Sequence, residues 1–398
     1  MKRFPLFLKT DPKKWSNWQW QEQNRLRNGS DIKSFFPRLS DNEVKTFNEY
    51  ASKYKLGITP YLLSLIKLNK NGLPLTDDPV WNQFKYFSPE ETSGPSDYDS
   101  RHENWEIPGE MPTPMIQHKY PGRAIIRLVN SCLGYCNYCY LTTRIIDKKY
   151  SSRKQNNGKI WSDTLSYLRK NPDITDVLIS GGDPLLLSNS RLEQVFRDLK
   201  SIKSIRSIRL NTRALTHNPY RFDAGLVKIF KKYNLTVLEI HMSHPVELTG
   251  VVKEKLSLFD KAGYRPIIVW RAPLLKGIND DEKTLTALFN ALYENRIIPY
   301  YLFHYAPYTL GRSTIGVSVK AGARIMQKIR RKVPGIAFPR YTLFHVDGKH
   351  DIPLEPSGTP GFVYKNSNNN NPVIKFKNWK QRWVTYQDIK DAPCRRKK

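Results

Sequence analysis

Cys132-Leu133-Gly134-Tyr135-Cys136-Asn137-Tyr138-Cys139 sets three cysteines in a C-x3-C-x2-C run, directly behind the apolar, strand-like segment Ala124 to Val129. Three thiolates on one loop can ligate three irons of a 4Fe-4S cube, whereas a cluster held only for electron transfer normally takes four cysteines. One iron of such a cube stays open to a ligand. Zinc ordinarily takes four Cys or His ligands, commonly as separated pairs, and no second C-x-x-C exists in the chain. A disulfide would strand one of the three. The only other cysteine, Cys394, lies in the Cys-Arg-Arg-Lys-Lys end, where a solvated thiol is expected rather than a fourth ligand. Cys132, Cys136 and Cys139 are therefore the expected cluster ligands.

The run, with an aromatic before its last cysteine, resembles the radical S-adenosylmethionine (SAM) superfamily, in which SAM binds the open iron through its amino and carboxylate groups. A second motif follows at the end of the next strand candidate: Ser180-Gly181-Gly182-Asp183-Pro184-Leu185. Glycines let a backbone approach a ligand closely, and exposed N–H groups with one carboxylate can hold a carboxylate and an ammonium. Gly181, Gly182 and Asp183 are thus expected to orient the methionyl end of SAM. Tyr138 is assigned beside the adenine. His241 and His244 are candidates for hydrogen bonds to ribose or substrate, with a satisfied core histidine as the alternative. Arg213 is read as an anion site or a structural ion pair.

The chain's 398 residues suffice for one large catalytic domain with additions, or for two domains. No apolar run reaches the length of a membrane span, and the Lys2-Arg3-Phe4-Pro5 start lacks a secretory signal's apolar stretch. Together with cysteines crowded into one loop, this predicts a cytoplasmic protein outside any disulfide framework. The 65 Lys+Arg against 36 Asp+Glu leave a net charge of +29, which favours an acidic partner such as nucleic acid or an anionic substrate. The basic residues scatter, however, and concentrate only from Lys375 to Lys398. A composition bias spread over solvated faces is the preferred reading, with nucleic acid the lesser alternative.

Residues 11 to 60 read as helical and aromatic, with Val44, Phe47, Tyr50 and Ala51 on one helix face. Residues 71 to 122, rich in Pro, Gly, Asp and Ser, read as an extended connector without catalytic parts. From Arg123 strands and helices alternate. Strands are predicted over Ala124 to Val129, Thr175 to Ser180, Arg206 to Asn211, Thr236 to His241, Arg265 to Trp270 and Ile297 to Phe303, with a helix in each interval. A last helix is capped by Ser318. Alternation of this kind argues for an α/β fold on a parallel sheet whose chemistry collects at the C-terminal strand ends. The expected division is 1–118 as a helical and extended N-terminal region, 119–315 as the core, and 316–398 as a C-terminal extension with a basic tail.

Longer stretches carry a closer resemblance. Asp176 to Ser188, His241 to Thr249, Leu274 to Asp280, Pro299 to Leu302, Trp18 to Arg25, Ile58 to Tyr61 and Lys119 to Arg123 resemble the lysine 2,3-aminomutase family, over roughly Trp15 to Pro356. The resemblance implies a partial (β/α)6 radical SAM barrel with a helical N-terminal extension and a small C-terminal one. It also implies an isomerase that removes hydrogen with a 5'-deoxyadenosyl radical, a reducing partner such as flavodoxin or ferredoxin, and a homo-oligomer. The cluster loop from Gly134 to Leu141 is in addition similar to that of spore photoproduct lyase, a likeness confined to the loop.

Members of the aminomutase family use pyridoxal phosphate (PLP). Their phosphate-binding basic residues correspond to Lys119, Arg123 and Arg213. Their PLP lysine ends a glycine run, and a gap-free count from Phe338-Pro339 to Ile352-Pro353 puts Asp351 in its place, with Lys349 the nearest substitute. An aspartate cannot make the covalent link. Leu141 stands where the family grips the amino acid's carboxylate with an arginine. Ala306 or Pro307, and Phe344, stand where it receives the side-chain ammonium. A buried charge left without its counterion costs several kcal/mol, so free lysine is not the expected substrate.

The expectation is therefore a radical SAM enzyme, PLP-independent, acting on a small amino-acid-like or anionic substrate. The alternatives are a PLP-dependent aminomutase using Lys349, and a basic iron-sulfur or zinc protein that binds nucleic acid without turnover.

Overall fold

The computed structural model describes residues 3–27, 29–88, 91, 106–146, 158–306, 309–354, 361–365, 372–378 and 380–389. Pro307 and Cys394, both weighed above, lie outside them. A nine-stranded sheet dominates, and its spatial order follows the chain order from β1 to β9. β1 (Ile116–Tyr120) runs antiparallel to β2 (Arg123–Val129). Then come β3 (Asp176–Gly181), β4 (Ser207–Thr212), β5 (Val237–Ile240), β6 (Ile267–Pro273), β7 (Ile298–Phe303) and β8 (Arg340–His345), all parallel to β2. β9 (Gly348–Asp351) closes the far edge as a hairpin with β8.

Strand order equal to chain order has a geometric consequence. Each right-handed crossover lays its helix on the same face, so the sheet curls around the other face into part of a barrel. The crossover helices are α2 (Gly158–Lys170), α3 (Asn189–Lys200), α4 (Ala224–Lys232), α5 (Gly250–Lys261), α6 (Glu282–Glu294) and α7 (Val319–Ile329); α1 (Asp41–Lys53) belongs to the N-terminal region. Each buries an apolar stripe, as with Leu192, Val195, Phe196 and Leu199 on α3. Side-chain caps start them where the sequence offers an oxygen: Ser188 for α3, Asp223 for α4, Thr249 for α5, Asp281 for α6 and Ser318 for α7.

The six predicted strands are present with ends shifted by a residue or so, except that β6 runs on to Pro273. Two features were not predicted. β1 lies inside the stretch read as an extended connector, and β8 with β9 carries the sheet on to Asp351, so the sheet runs past both ends of 119–315. A separate antiparallel sheet, β10 (Phe362–Lys365), β11 (Val373–Lys377) and β12 (Trp383–Gln387), packs against the barrel. On β11, Ile374 and Phe376 are buried while Lys375 and Lys377 alternate outward, so basic residues here form the solvated face of a strand.

A second apolar cluster covers the C-terminal strand ends. Phe4, Phe7, Trp15, Phe35, Phe36, Phe47 and Tyr50 of the N-terminal region pack together with Tyr138 after β2, Leu275 and Ile278 after β6, and Tyr305 after β7. The N-terminal aromatics thus form a lid of packed side chains over the end where loops follow strands. Among the described residues no helix is long and apolar enough to cross a membrane.

Candidate active site

A cavity of about 270 Å³ lies within the curl of the sheet. Cys132, Cys136 and Cys139 line one end, on the loop that leaves β2. Burial pushes the Cys139 thiol up to about 12, with Cys136 adding to the shift. Cys132 is pushed well up by burial and then by Cys139. Three mutually repelling, desolvated thiolates need compensating cations beside them. Among the described residues no three His, Cys, Asp or Glu groups gather at one metal position. A 4Fe-4S cube binds each cysteine to a different iron, so its three thiolates need not share one metal position.

The loop is held by parts remote in sequence. Arg25 donates through Nη1 to the carbonyls of Cys132 and Leu133, the latter at 3.1 Å. Tyr135 N donates to Gly57 O at 3.2 Å, Asn137 N to Gln83 O at 3.0 Å, and Asn137 Nδ2 to Asn82 O at 3.0 Å. The connector read as free of catalytic parts therefore contributes Asn82 and Gln83 to the cradle, a correction to that expectation. No local signal marks these residues, because their role follows from a contact between segments fifty residues apart.

From the other side, the loop rests on the Gly-Gly-Asp turn. Gly182 N donates to Val129 O at 2.5 Å and Asp183 N to Ser131 O at 2.8 Å. A Cβ on Gly182 would come within 2.1 Å of Ser131 O, and Gly181 has φ of +114°, so both positions require glycine. The Asp183 carboxylate is buried and accepts from Leu185 N at 3.0 Å, Thr212 Oγ1 at 2.7 Å and Arg213 N at 2.9 Å. It clamps the end of β4 against β3 in this structure, with its oxygens engaged by protein donors. Tyr138 is buried in the N-terminal cluster, its hydroxyl 3.1 Å from both Gln83 Oε1 and Ser243 Oγ. His241 faces the cavity; burial, with Arg271 and Arg213 nearby, holds its pKa well below 6.5. Its buried Nδ1 finds no hydrogen-bond partner among the described residues and is available to a ligand.

The residues matched to the PLP phosphate site are divided between the two ends. Arg213 Nη1 donates to Cys136 Sγ at 2.5 Å. Lys119 pairs with Glu110 at 2.5 Å, and Arg123 lies 4.3 Å from the Tyr120 ring centroid. Lys119 and Arg123 line the cavity, as does Lys349. Asp351, the residue in the gap-free position, is turned to the surface, where it binds Arg340 Nε at 2.8 Å and Thr342 Oγ1 at 2.9 Å. Lys349 and Asp351, two apart on β9, share a face, but Lys349 pairs with Phe344 near the C-terminal end of β8, where the cavity lies, while Asp351 pairs with Thr342 nearer its start. The Lys349 amine lies 4.6 Å from the Tyr301 ring centroid and 4.9 Å from that of Phe303. Burial, then Arg271, lowers it from 10.5 to about 7.

Around Lys349 two walls face each other. Tyr140, Phe344, Phe303, Tyr301 and Tyr300 form one continuous run of rings, with neighbouring centroids at 4.9, 5.5, 5.1 and 4.0 Å. Across the strands runs a ladder of alternating charge: Asp176 to Arg209 at 2.5 Å, Arg209 to Glu239 at 2.7 Å and Glu239 to Arg271 at 3.0 Å. The sequence reading passed over Arg209, Glu239 and Arg271. The signal was available, since each interrupts an apolar parallel strand with a charge, which such strands tolerate where they face a lumen. Leu141, Ala306 and Phe344 also line the cavity and bring no charge to it.

No family model matches the chain. Among curated proteins, it is 30% identical over 347 residues to L-lysine 2,3-aminomutase of Methanococcus maripaludis, covering 86% of this chain and 76% of that protein. It is 30% identical over 342 residues to glutamate 2,3-aminomutase of Clostridioides difficile, covering 86% and 77%. It is 29% identical over 377 residues to L-lysine 2,3-aminomutase of Acetoanaerobium sticklandii, covering 94% and 85%. Of solved structures, a radical SAM methyltransferase from Sphaerobacter thermophilus covers 58% of this chain and 70% of its own, at 17% identity and a TM-score of 0.37. Relatives of this identity and extent, over a chain that carries the cysteine triad on a curled parallel sheet, make the protein a radical SAM enzyme of the lysine 2,3-aminomutase family.

Proposed function

We propose that the enzyme reductively cleaves SAM at a 4Fe-4S cluster ligated by Cys132, Cys136 and Cys139, and acts on a small anionic or amino-acid-like substrate other than free lysine. The observation that carries this reading is the placement of three adjacent thiols at one end of a cavity whose far end is walled by arginines and aromatic rings. When bound, the cluster and SAM supply a 5'-deoxyadenosyl radical able to take hydrogen from an unactivated carbon. The protein's residues position and insulate. Arg25, Asn82 and Gln83 fix the loop, Gly181 and Gly182 keep β3 close beneath it, and the N-terminal aromatics exclude water from above. His241 Nδ1 offers a hydrogen bond to the bound ligand. Arg209 and Arg271 are matched by Asp176 and Glu239, so an anionic group would be met by Arg123, and by Lys349 when it is protonated. Leu141, Ala306 and Phe344 supply no carboxylate to a lysine ammonium, whose burial unpaired costs several kcal/mol. Anaerobic reconstitution followed by electron paramagnetic resonance tests the cluster: SAM should alter the spectrum of the reduced cluster, and an unchanged spectrum in a fully loaded protein would contradict SAM binding at iron.

A specific observation favours a second reading. The Lys349 amine faces the cavity beside Tyr301 and Phe303, and its lowered pKa leaves it a nucleophile near neutrality. Lys349 would hold PLP and Arg123 and Lys119 its phosphate; bound there, PLP supplies a ring that delocalises the migrating amino group's unpaired electron. PLP followed by borohydride should leave a stable adduct that disappears in Lys349→Ala. Absence of any adduct returns the enzyme to the PLP-independent reading.

A further inference from the structure

Arg213 stands at the end of β4, directly behind the cysteine loop. Its Nη1 donates to Cys136 Sγ at 2.5 Å and to the Tyr138 hydroxyl at 2.7 Å, and its Nη2 donates to Gln83 Oε1 at 2.9 Å. Glu247, fully buried, lies 3.7 Å from Nη2. That carboxylate is itself fixed by Ser243 N and His244 N at 2.9 Å each and by Gln83 Nε2 at 3.0 Å. The guanidinium carbon sits 5.6 Å from the Phe84 ring centroid. An arginine side chain keeps its charge at any ordinary pH, and the buried Glu247 carboxylate stands opposite it. Swinging it into the cavity to meet an anion would forfeit three hydrogen bonds and leave Glu247 without its cation.

We propose that Arg213 is a positioning residue of the cluster, which raises its reduction potential through Cys136, instead of an anchor for a substrate or cofactor anion. The inference rests on the cluster reading above. Adding one electron makes a thiolate-ligated cluster more negative. A buried cation donating to one ligand sulfur therefore stabilises the reduced state more than the oxidised state, and the low local dielectric magnifies the difference. Glu247 opposes this, because its negative charge faces the same guanidinium. The two residues should then shift the potential in opposite directions, which a general loosening of the loop would not do.

The test is a redox titration of the anaerobically reconstituted, full-length protein, followed by absorbance and electron paramagnetic resonance. Arg213→Met should lower the reduced-to-oxidised ratio at a fixed potential at least tenfold, about 59 mV for a one-electron couple. Arg213→Lys should shift it less in the same direction, and Glu247→Gln should shift it the opposite way. Unchanged midpoints in the loaded variants would overturn the proposal, as would shifts of Arg213→Lys and Glu247→Gln in one direction. If Arg213→Met loads no cluster, those two variants decide. A wild-type protein that takes up no cluster would instead contradict the underlying cluster assignment.

Discussion

At the cysteine end of the cavity the key side chains are tied to other protein groups: Asp183 accepts from three donors, Asn137 reaches back to residues 82 and 83, and Arg213 is bound on three sides, although Asn137 Oδ1 and Arg213 Nε keep no partner among the described residues. At the far end they line open space. Lys349 rests its amine on two rings, and Arg271 and Arg209 share the carboxylate of Glu239. The contrast fits the demands of the two tasks. A radical generator needs one geometry, held by buried side chains bonded to one another, whereas a substrate site keeps capacity for a partner yet to arrive.

The most severe break of the cysteine end is Cys136→Ala, which should abolish both cluster-bound SAM and SAM cleavage; iron content and the cluster's absorbance check it. Asp183→Ala strips three buried donors of their acceptor and should cost about 3 kcal/mol or more of stability, read as a lowered denaturation midpoint. Neither change should be mimicked by substitutions on the aromatic wall.

The far end is sharpened by pH. Because the Lys349 amine is lowered to about 7, reductive trapping of a carbonyl compound on it should rise through pH 7 and level off below pH 9, where an ordinary lysine is still gaining. The unfolded chain holds its proton up to the ordinary value of 10.5, so this group also makes stability rise with pH between about 7 and 10.5. A trapping curve that climbs only toward pH 10 would place the amine in water. The smallest expected effect is a gain. Phe344→Asp should improve lysine binding about tenfold, through one charge-assisted hydrogen bond of about 1.5 kcal/mol, measured calorimetrically.

The same division governs what the sequence makes legible. The cysteine end is written in short motifs: the C-x3-C-x2-C run, the Gly-Gly-Asp turn and the strand preceding each are local, and a period of two or 3.6 locates their elements. What holds those motifs is not local. Arg25 and Gln83 reach the loop from segments far apart in the chain, Glu247 meets it through Arg213 and Gln83, and only the fold brings them together. At the far end, the decisive fact is register. A gap-free count reaches Asp351, but the β8–β9 pairing sets Asp351 opposite Thr342, away from the cavity, and Lys349 opposite Phe344, at the level of the cavity. Register within a hairpin depends on turn geometry and on which face is buried, and a count of residues cannot supply either. Arg213 illustrates both lessons, since similarity matched it to a phosphate site and the packing directs it to Cys136.

The most direct test of the account is whether the loaded enzyme cleaves SAM. With anaerobically reconstituted protein, dithionite and SAM, the three-cysteine site predicts 5'-deoxyadenosine formation that is lost when any one of Cys132, Cys136 or Cys139 is changed to alanine. A fully loaded cluster that releases no 5'-deoxyadenosine would contradict it.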